Sequence, residues 1–229
     1  MRNFNSKEYI DLVENTHLKV LNEFMNDEVN LIKSISNLKS KTLVELGAGH
    51  GRLIPILSPV CKEFHLIEIN KDMYTELEKR ANNYPNTSST LGNMLDLNKY
   101  FKLEIKNTLL ILAQNTIGTL EGNLIEILKE IKKFLKQNNA EMIISFFKAK
   151  AMNDFGKNKL FPSIKPMIGN IDFKKSKLNE GRLVTNNGYT SIWREDEEIN
   201  KILSFLELEP KKIIDKECYI IYYLKNENN

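Results

Sequence analysis

The chain of 229 residues has a net charge of +3; 41% of its residues are hydrophobic and 28% are charged. These proportions are close to globular averages, which excludes wholesale disorder, a collagen-like chain and a coiled coil. The longest apolar stretches, such as Tyr219–Leu224, are far shorter than the roughly 20 residues of a spanning helix, and residues 1–5 contain no apolar signal-peptide core. The two cysteines lie outside any metal-ligand spacing. We therefore expect a reduced, cytoplasmic protein without a metal site and without membrane association.

Apolar residues recur at helical spacing over residues 6–38 and predict a helical N-terminal region. A joint near Asn15, with Thr16 as a cap, would divide this region into two helices. His17 lies on the predicted apolar stripe, four residues from Val13 and four from Leu21, which favours a buried core histidine.

From residue 41 onward, short β-rich runs alternate with helical stretches. The predicted strands are Thr42–Leu46, Glu63–Ile69, Thr87–Leu91, Asn107–Ala113 and Ala140–Phe147. The intervening helices are a short one ending near Ser58, then Lys71–Asn82 and Leu120–Gln137. Apolar strands separated by helices predict an α/β fold whose parallel sheet is covered on both faces.

This alternation lapses after Phe147. Residues 148–182 contain nine Lys/Arg and three Asp/Glu, so that the rest of the chain has a net charge of −3. The segment lacks a core-sized apolar set and is interpreted as an insertion. A hairpin is predicted around Asn186-Asn187-Gly188, followed by a helix over Glu195–Leu206. The last two predicted strands, Lys211–Asp215 and Cys218–Leu224, would close one edge of the sheet.

The most informative stretch is Glu45-Leu46-Gly47-Ala48-Gly49-His50-Gly51, where a strand runs into a glycine-rich turn. Glycines let the backbone turn sharply and approach a ligand closely. Dinucleotide-binding proteins place the third glycine five residues after the first, whereas Gly51 follows Gly47 by four. The carboxylate of Glu45 would repel a diphosphate but not a ligand that carries an ammonium group.

This stretch resembles the first motif of class I S-adenosylmethionine-dependent methyltransferases. Further motifs of that family follow in order. Glu68 and Ile69 resemble the second motif, whose acidic residue grips the two ribose hydroxyls, and Glu68 follows Gly49 by nineteen residues. Asn93 and Met94 resemble the third motif, usually Gly-Asp, which meets the adenine amino group. Residues 110–118, which include Gln114 and Asn115, resemble the fourth motif beside the methyl group.

The resemblance covers about residues 35–147 and 189–224. It implies a Rossmann-like, mostly parallel seven-stranded sheet with helices on both faces. In the single domain that we expect, 1–38 is an N-terminal helical lid, 39–147 the S-adenosylmethionine-binding core, 148–193 an insertion capping the acceptor site, and 194–229 the last helix and edge strands. The implied cofactor-binding residues are Glu45, Gly47, Ala48, Gly49, Gly51, Glu68, Ile69, Asn93, Met94 and Gln114.

Three residues are predicted to position the methyl acceptor. Asn115 would orient it or cap the following helix, while Tyr189 and Trp193 share one face of a predicted strand with Ser191 and would wall the pocket. Tyr9 is a weaker candidate on the lid. The loop after the fourth predicted strand lacks the Pro-Pro-Tyr signature of adenine and glutamine methyltransferases and a cysteine nucleophile.

We therefore expect methyl transfer from S-adenosylmethionine to nitrogen or oxygen of a small molecule, which could be anionic. We expect no nucleic-acid partner and a monomer or homodimer. The alternatives are a methyltransferase that acts on RNA or protein through the basic insertion, a Rossmann-type oxidoreductase, and a non-catalytic nucleotide-binding protein.

Overall fold

The structure, a computed structural model, describes residues 6–101, 107–120 and 123–226. Its helices are α1 (Ser6–Glu14), α2 (Lys19–Lys33), α3 (Ile54–Leu57), α4 (Lys71–Ala81), α5 (Leu97–Tyr100), α6 (Thr116–Thr119), α7 (Leu124–Asn138), α8 (Phe161–Ile168) and α9 (Asp196–Leu206). Its strands are β1 (Thr42–Leu46), β2 (Glu63–Glu68), β3 (Thr87–Leu91), β4 (Thr108–Leu112), β5 (Glu141–Phe147), β6 (Arg182–Val184), β7 (Thr190–Ile192), β8 (Glu209–Asp215) and β9 (Tyr219–Lys225).

Seven of these strands form one sheet in the order β3-β2-β1-β4-β5-β9-β8. The first five are parallel, and β9 pairs antiparallel with both β5 and β8. The predicted α/β fold and the mostly parallel seven-stranded sheet are therefore confirmed. The strand order reverses beside β1, with β2 on one side and β4 on the other. In open α/β sheets a crevice for ligands forms at this reversal, outside the carboxyl ends of the strands.

Apolar side chains of the sheet are divided between two hydrophobic clusters, one on each face. Along β1, Leu43 belongs to one cluster, and Val44 and Leu46 to the other. Residues of α2, α4 and α8 pack in the first cluster, and residues of α7 and α9 in the second. Because neighbouring side chains of a strand point to opposite faces, both faces of the sheet are covered by helices.

The N-terminal region is two helices, as the joint near Asn15 predicted. Thr16 is not the N-cap of the second helix: that residue is Leu18, whose N–H donates to the Thr16 hydroxyl at 3.2 Å. His17 lies in the connection and is exposed, so the prediction of a core histidine was wrong. The break between the helices turns its ring out of the apolar stripe.

The insertion contains more regular structure and more core than predicted. Residues 152–160 form a π-helix that continues directly into α8. Met152, Phe155 and Ile164 are buried in the same cluster as α2. The predicted hairpin is present as β6 and β7, which form a separate two-stranded sheet. Within the described residues, no helix combines the length and the apolar character needed to cross a bilayer.

Candidate functional site

A cavity of about 320 Å³ opens at the carboxyl ends of the parallel strands. It is lined by Glu45 near the end of β1, Glu68 at the end of β2, Gly92 and Asn93 after β3, and Gln114 after β4. These positions surround the reversal of strand order. The site therefore lies where the topology of an open α/β sheet places a ligand.

The glycine-rich turn after β1 is held by the neighbouring strand. The N–H groups of Gly47 and Ala48 donate to the Ile67 carbonyl at 2.8 and 3.1 Å, and the N–H of Gly51 donates to the Ala48 carbonyl at 3.0 Å. Gly47 has φ +69°, and a Cβ there would lie 2.7 Å from the Thr116 side chain. The turn thus requires glycine for its conformation and for its close contact with α6. These three N–H groups are used within the protein and do not form a phosphate cradle.

Glu68 ties the turn to the end of β2. Its Oε2 accepts from the N–H of Gly49 at 2.8 Å, and its Oε1 accepts from Ile69 and Asn70 at 2.9 and 2.7 Å. Burial raises the pKa of Glu68, while these three hydrogen bonds oppose the shift. A carboxylate offers about four acceptor positions, so one remains for a ligand hydroxyl in the cavity.

Glu45 is a buried carboxyl group with one oxygen that makes no hydrogen bond to the described residues. It is 5% exposed, and the oxygen without a partner among these residues is Oε2. Burial raises its pKa to about 8; the charge of Arg52 lowers the pKa, whereas Glu28 and Glu68 raise it. A buried carboxyl group without a partner is costly, so a cationic ligand group in the cavity would stabilise its ionised form.

A fully buried carboxyl group lies near the turn, beside the cavity. Glu28 of α2 accepts from the Gln114 N–H at 2.6 Å, from the Ser145 hydroxyl at 2.7 Å and from Arg52 Nη2 at 2.9 Å. It therefore joins the N-terminal region to the ends of β4 and β5. Burial raises the pKa of Glu28, and the Arg52 guanidinium opposes that shift.

Helix α1 forms one wall of the cavity. The Tyr9 hydroxyl lies 3.5 Å from Gln114 Oε1, and its ring contacts the His50 ring edge-on at 5.7 Å between centroids. His50 Nε2 lies 3.2 Å from Glu14, which also pairs with Arg80 of α4 at 2.8 Å. Burial and the Arg80 charge lower the pKa of His50 to about 4, so this histidine is neutral at pH 7. These contacts attach α1 to both the turn and α4.

Most of the residues predicted to form the site line this cavity. They are Glu45, Gly47, Ala48, Gly49, Glu68, Ile69, Asn93, Met94, Gln114 and Tyr189. Gly51 does not: a Cβ there would lie 2.5 Å from Ile54 and 2.8 Å from Leu77, so this glycine permits packing beneath the turn. The helix predicted to follow the turn directly begins three residues later, at Ile54.

Two residues predicted to position the acceptor do not line the cavity. Asn115 is 1% exposed; its Oδ1 accepts from the Phe147 N–H at 3.2 Å, and its Nδ2 donates to the Ile192 carbonyl at 3.3 Å. The helix that Asn115 was predicted to cap, near Leu120, begins at Leu124 as α7, and the side chain of Asn123 caps it instead. Asn115 therefore fastens β7 to the end of β5.

Trp193 is fully buried and stacks on Phe147 at 4.5 Å between ring centroids. Its Nε1 donates to the Ser191 hydroxyl at 3.1 Å. The predicted shared face of Ser191 and Trp193 is thus present, but it faces the core. The strand that carries Ser191, β7, pairs with β6 outside the main sheet.

Several residues in or beside the cavity were not predicted from the sequence. Arg52 directly follows the glycine motif, so its position was a usable signal. The apolar residues Leu160, Ile164 and Met167 recur at intervals of four and three, which is helical spacing, but the prolines and lysines around them suggested an irregular insertion. Glu28 gave no local signal, because its partners are 24 to 117 residues away in the chain.

No protein-family model and no curated protein matches this chain. Solved structures do. An N-methyltransferase, NodS, from Bradyrhizobium japonicum WM9 in complex with S-adenosyl-L-homocysteine is 14% identical, with a TM-score of 0.62 over 99% of this chain and 100% of that chain. The CcbJ methyltransferase from Streptomyces caelestis is 15% identical, with a TM-score of 0.61 over 87% of this chain and 94% of that chain.

A third similar structure is the 1,6-didemethyltoxoflavin-N1-methyltransferase from Burkholderia thailandensis, solved with 1,6-didemethyltoxoflavin and S-adenosylhomocysteine. It is 10% identical, with a TM-score of 0.60 over 97% of this chain and 87% of that chain. The chain has the fold of S-adenosylmethionine-dependent methyltransferases. At these identities the likeness establishes the fold alone.

Proposed function

We propose that this protein is an S-adenosylmethionine-dependent methyltransferase whose acceptor is a small molecule methylated at nitrogen or oxygen. The observation that carries the proposal is the pair of carboxyl groups, Glu45 and Glu68, in the cavity beside the glycine turn. The N–H groups of that turn are occupied within the protein. A diphosphate would meet two carboxyl groups and few free backbone donors, because the one guanidinium there, Arg52, is paired with Glu28. A ligand ammonium group would instead favour the ionised form of Glu45, and its sulfonium group would meet the same carboxyl groups.

The residues present fit the donor. Glu45 would face its ammonium group, since Oε2 has no partner among the described residues. Glu68 would accept from a ribose hydroxyl through its remaining acceptor position. Asn93, whose Oδ1 accepts from the Leu95 N–H at 3.0 Å, would lie beside the base. The second acceptor position of Oδ1 would accept from the adenine amino group, and the amide N–H₂ would donate to a ring nitrogen.

When bound, S-adenosylmethionine supplies a methyl group on a positively charged sulfur, which is already activated for displacement. The tasks left to this chain are to align the acceptor and to exclude competing water. Helix α1 contributes to both, because Tyr9 closes the cavity over the glycine turn. A neutral amine acceptor needs no strong base. This agrees with the uncharged side chains of Gln114, which follows β4, and Tyr189, which precedes β7; both line the cavity.

The division of the chain follows from this proposal. Residues 1–38 serve as the lid, 39–147 as the donor-binding core, 148–193 as the cap of the acceptor site, and 194–229 as the closing helix and strands. Two of the similar structures, NodS and the 1,6-didemethyltoxoflavin enzyme, are N-methyltransferases, which supports nitrogen as the accepting atom.

A radiolabel transfer assay tests the proposed function. The protein is incubated with methyl-tritiated S-adenosylmethionine and a cell extract separated into small-molecule, RNA and protein fractions. The expected result is transfer of label into the small-molecule fraction, with loss of transfer in Glu45→Gln and in heat-inactivated protein. Label in RNA or protein would instead support a macromolecular acceptor. Donor binding without transfer to any fraction would support a non-catalytic binding protein.

A further inference from the structure

Charge is unevenly distributed around the cavity. Among the described residues that line it, the only carboxyl and guanidinium side chains are those of Glu45, Arg52 and Glu68. All three belong to β1, β2 or the turn that follows β1. His50, on the same turn, is neutral at pH 7 because burial lowers its pKa to about 4. The charged half of the cavity is therefore the half assigned above to the donor.

A second wall of the cavity is apolar apart from one hydroxyl. It is built by α1, the end of β5, the π-helix and α8, and α1 packs against α8. Besides Tyr9, whose hydroxyl lies beside Gln114, the side chains that it presents are Leu12, Val13, Phe147, Leu160, Ile164 and Met167. A charged substrate group placed against this wall would lose its hydration without gaining a counter-ion, which disfavours its binding.

The basic insertion does not supply the missing charge. Over the described residues 123–226, none of the eight lysines of residues 148–182 lines the cavity. Lys148 is buried, but its Nζ pairs with Asp215 at the end of β8. Lys175 and Lys177 are exposed and pair with Asp172 and Glu180. An anionic acceptor would thus find no cation on the apolar side.

One amide lies between the two halves. Gln114 Nε2 is buried and has no hydrogen-bond partner among the described residues, and Oε1 of the same side chain lies 3.5 Å from the Tyr9 hydroxyl. A buried N–H without an acceptor is destabilising, because it has lost its hydrogen bond to water. A single hydrogen-bond acceptor on a bound molecule would remove that cost and fix the orientation of the molecule.

From these observations we infer that the acceptor is an uncharged, largely apolar small molecule that turns one hydrogen-bonding atom toward Gln114. This inference rests on the proposed function and narrows its substrate class. It replaces the expectation of an anionic acceptor. The apolar wall would contact the apolar part of the acceptor. The Gln114 amide would donate to its one hydrogen-bonding atom and so hold that atom beside the donor half of the cavity.

The test compares two probes with the same ring system, 2-naphthol and 2-naphthyl phosphate, by calorimetry on protein saturated with S-adenosylhomocysteine. The neutral probe should bind at least tenfold more tightly than the phosphate. Met167→Lys, on the apolar wall, should weaken binding of 2-naphthol at least tenfold. Ser163→Lys is the matched control: it adds the same charge to an exposed position of α8 outside the cavity, and both affinities should stay within twofold of wild type.

Leu12→Lys, on α1, gives an independent reading if Met167→Lys fails to fold. Equal or tighter binding of the phosphate, an unchanged 2-naphthol affinity in the folded lysine variants, or no binding of 2-naphthol at all would overturn the inference. Failure of S-adenosylhomocysteine to bind the wild-type protein would instead overturn the proposed function, so the two failures are distinguishable.

Discussion

Burial raises the pKa of Glu45 to about 8, so most molecules of the free protein hold this carboxyl group protonated at pH 7. A ligand ammonium group beside it would favour the ionised form. Binding of S-adenosylhomocysteine near pH 7 should therefore release up to one proton, and the affinity should rise with pH until about pH 8. Calorimetry in buffers of different ionisation enthalpy measures the release directly.

In Glu45→Gln the proton release should disappear and the affinity should fall, while the circular dichroism spectrum is retained. Glu63→Gln, at the opposite end of β2, should behave as wild type. Binding without proton release in the wild-type protein would show that Glu45 does not face the ligand ammonium group.

The carboxyl group of Glu68 both holds the glycine turn and faces the ligand site. It accepts from three backbone N–H groups and lines the cavity. Hydrogen bonds to a charged group contribute about 1.5–3 kcal/mol each. Because one acceptor position of Glu68 is left for the ligand, Glu68→Ala should weaken binding of S-adenosylhomocysteine by about 1.5–3 kcal/mol, a factor of roughly ten or more. Titration of a folded Glu68→Ala protein checks this value. Wild-type affinity would mean that the second motif has been assigned wrongly.

At the scale of elements, the structure attaches α1 through Glu14 to Arg80 and His50. Because Arg80 and Glu14 are partly exposed, this pair should contribute less than about 1 kcal/mol to global stability. Loss of this ion pair should instead weaken the attachment of α1 without unfolding the rest of the protein. In Arg80→Met, amide hydrogens of α1 should exchange several-fold faster, with little change in the melting temperature.

Lys79→Met removes the neighbouring exposed pair with Glu76 on the same helix and is the matched control. It should leave exchange in α1 unchanged. Equal exchange rates in Arg80→Met and wild type would contradict the assignment of these contacts as the attachment of the lid.

Strands β1, β4 and β5 were predictable because buried parallel strands are continuous apolar runs bounded by turns. Helix α8 was not, since prolines indicate helix breaks. Pro162 lies in the first turn of α8, where a missing N–H costs no helical hydrogen bond. Pro166 lies inside the same helix, which is only eight residues long and ends two residues later. Period-two alternation placed Ser191 and Trp193 on one face. It could not say which face meets the cavity, because that depends on how the hairpin packs against Phe147.

For the whole molecule, the exposed lysines of the insertion pose the question of RNA binding. Lys174, Lys175 and Lys177 are exposed, and single-stranded RNA binding through such contacts would fall with salt at a log–log slope of about −0.7 per contact. We expect no RNA affinity beyond the nonspecific range at physiological salt. A triple alanine variant should bind labelled total RNA like wild type; tight binding abolished in that variant would favour the macromolecular acceptor.

The central claim is that the carboxyl groups and the glycine turn select an adenosyl sulfonium ligand rather than a dinucleotide. Parallel calorimetric titrations of the wild-type protein with S-adenosylmethionine, S-adenosylhomocysteine and NAD test this claim most directly. We expect one saturable site for each adenosyl ligand and strong discrimination against NAD. Tight binding of NAD, together with no binding of either adenosyl ligand, would contradict it.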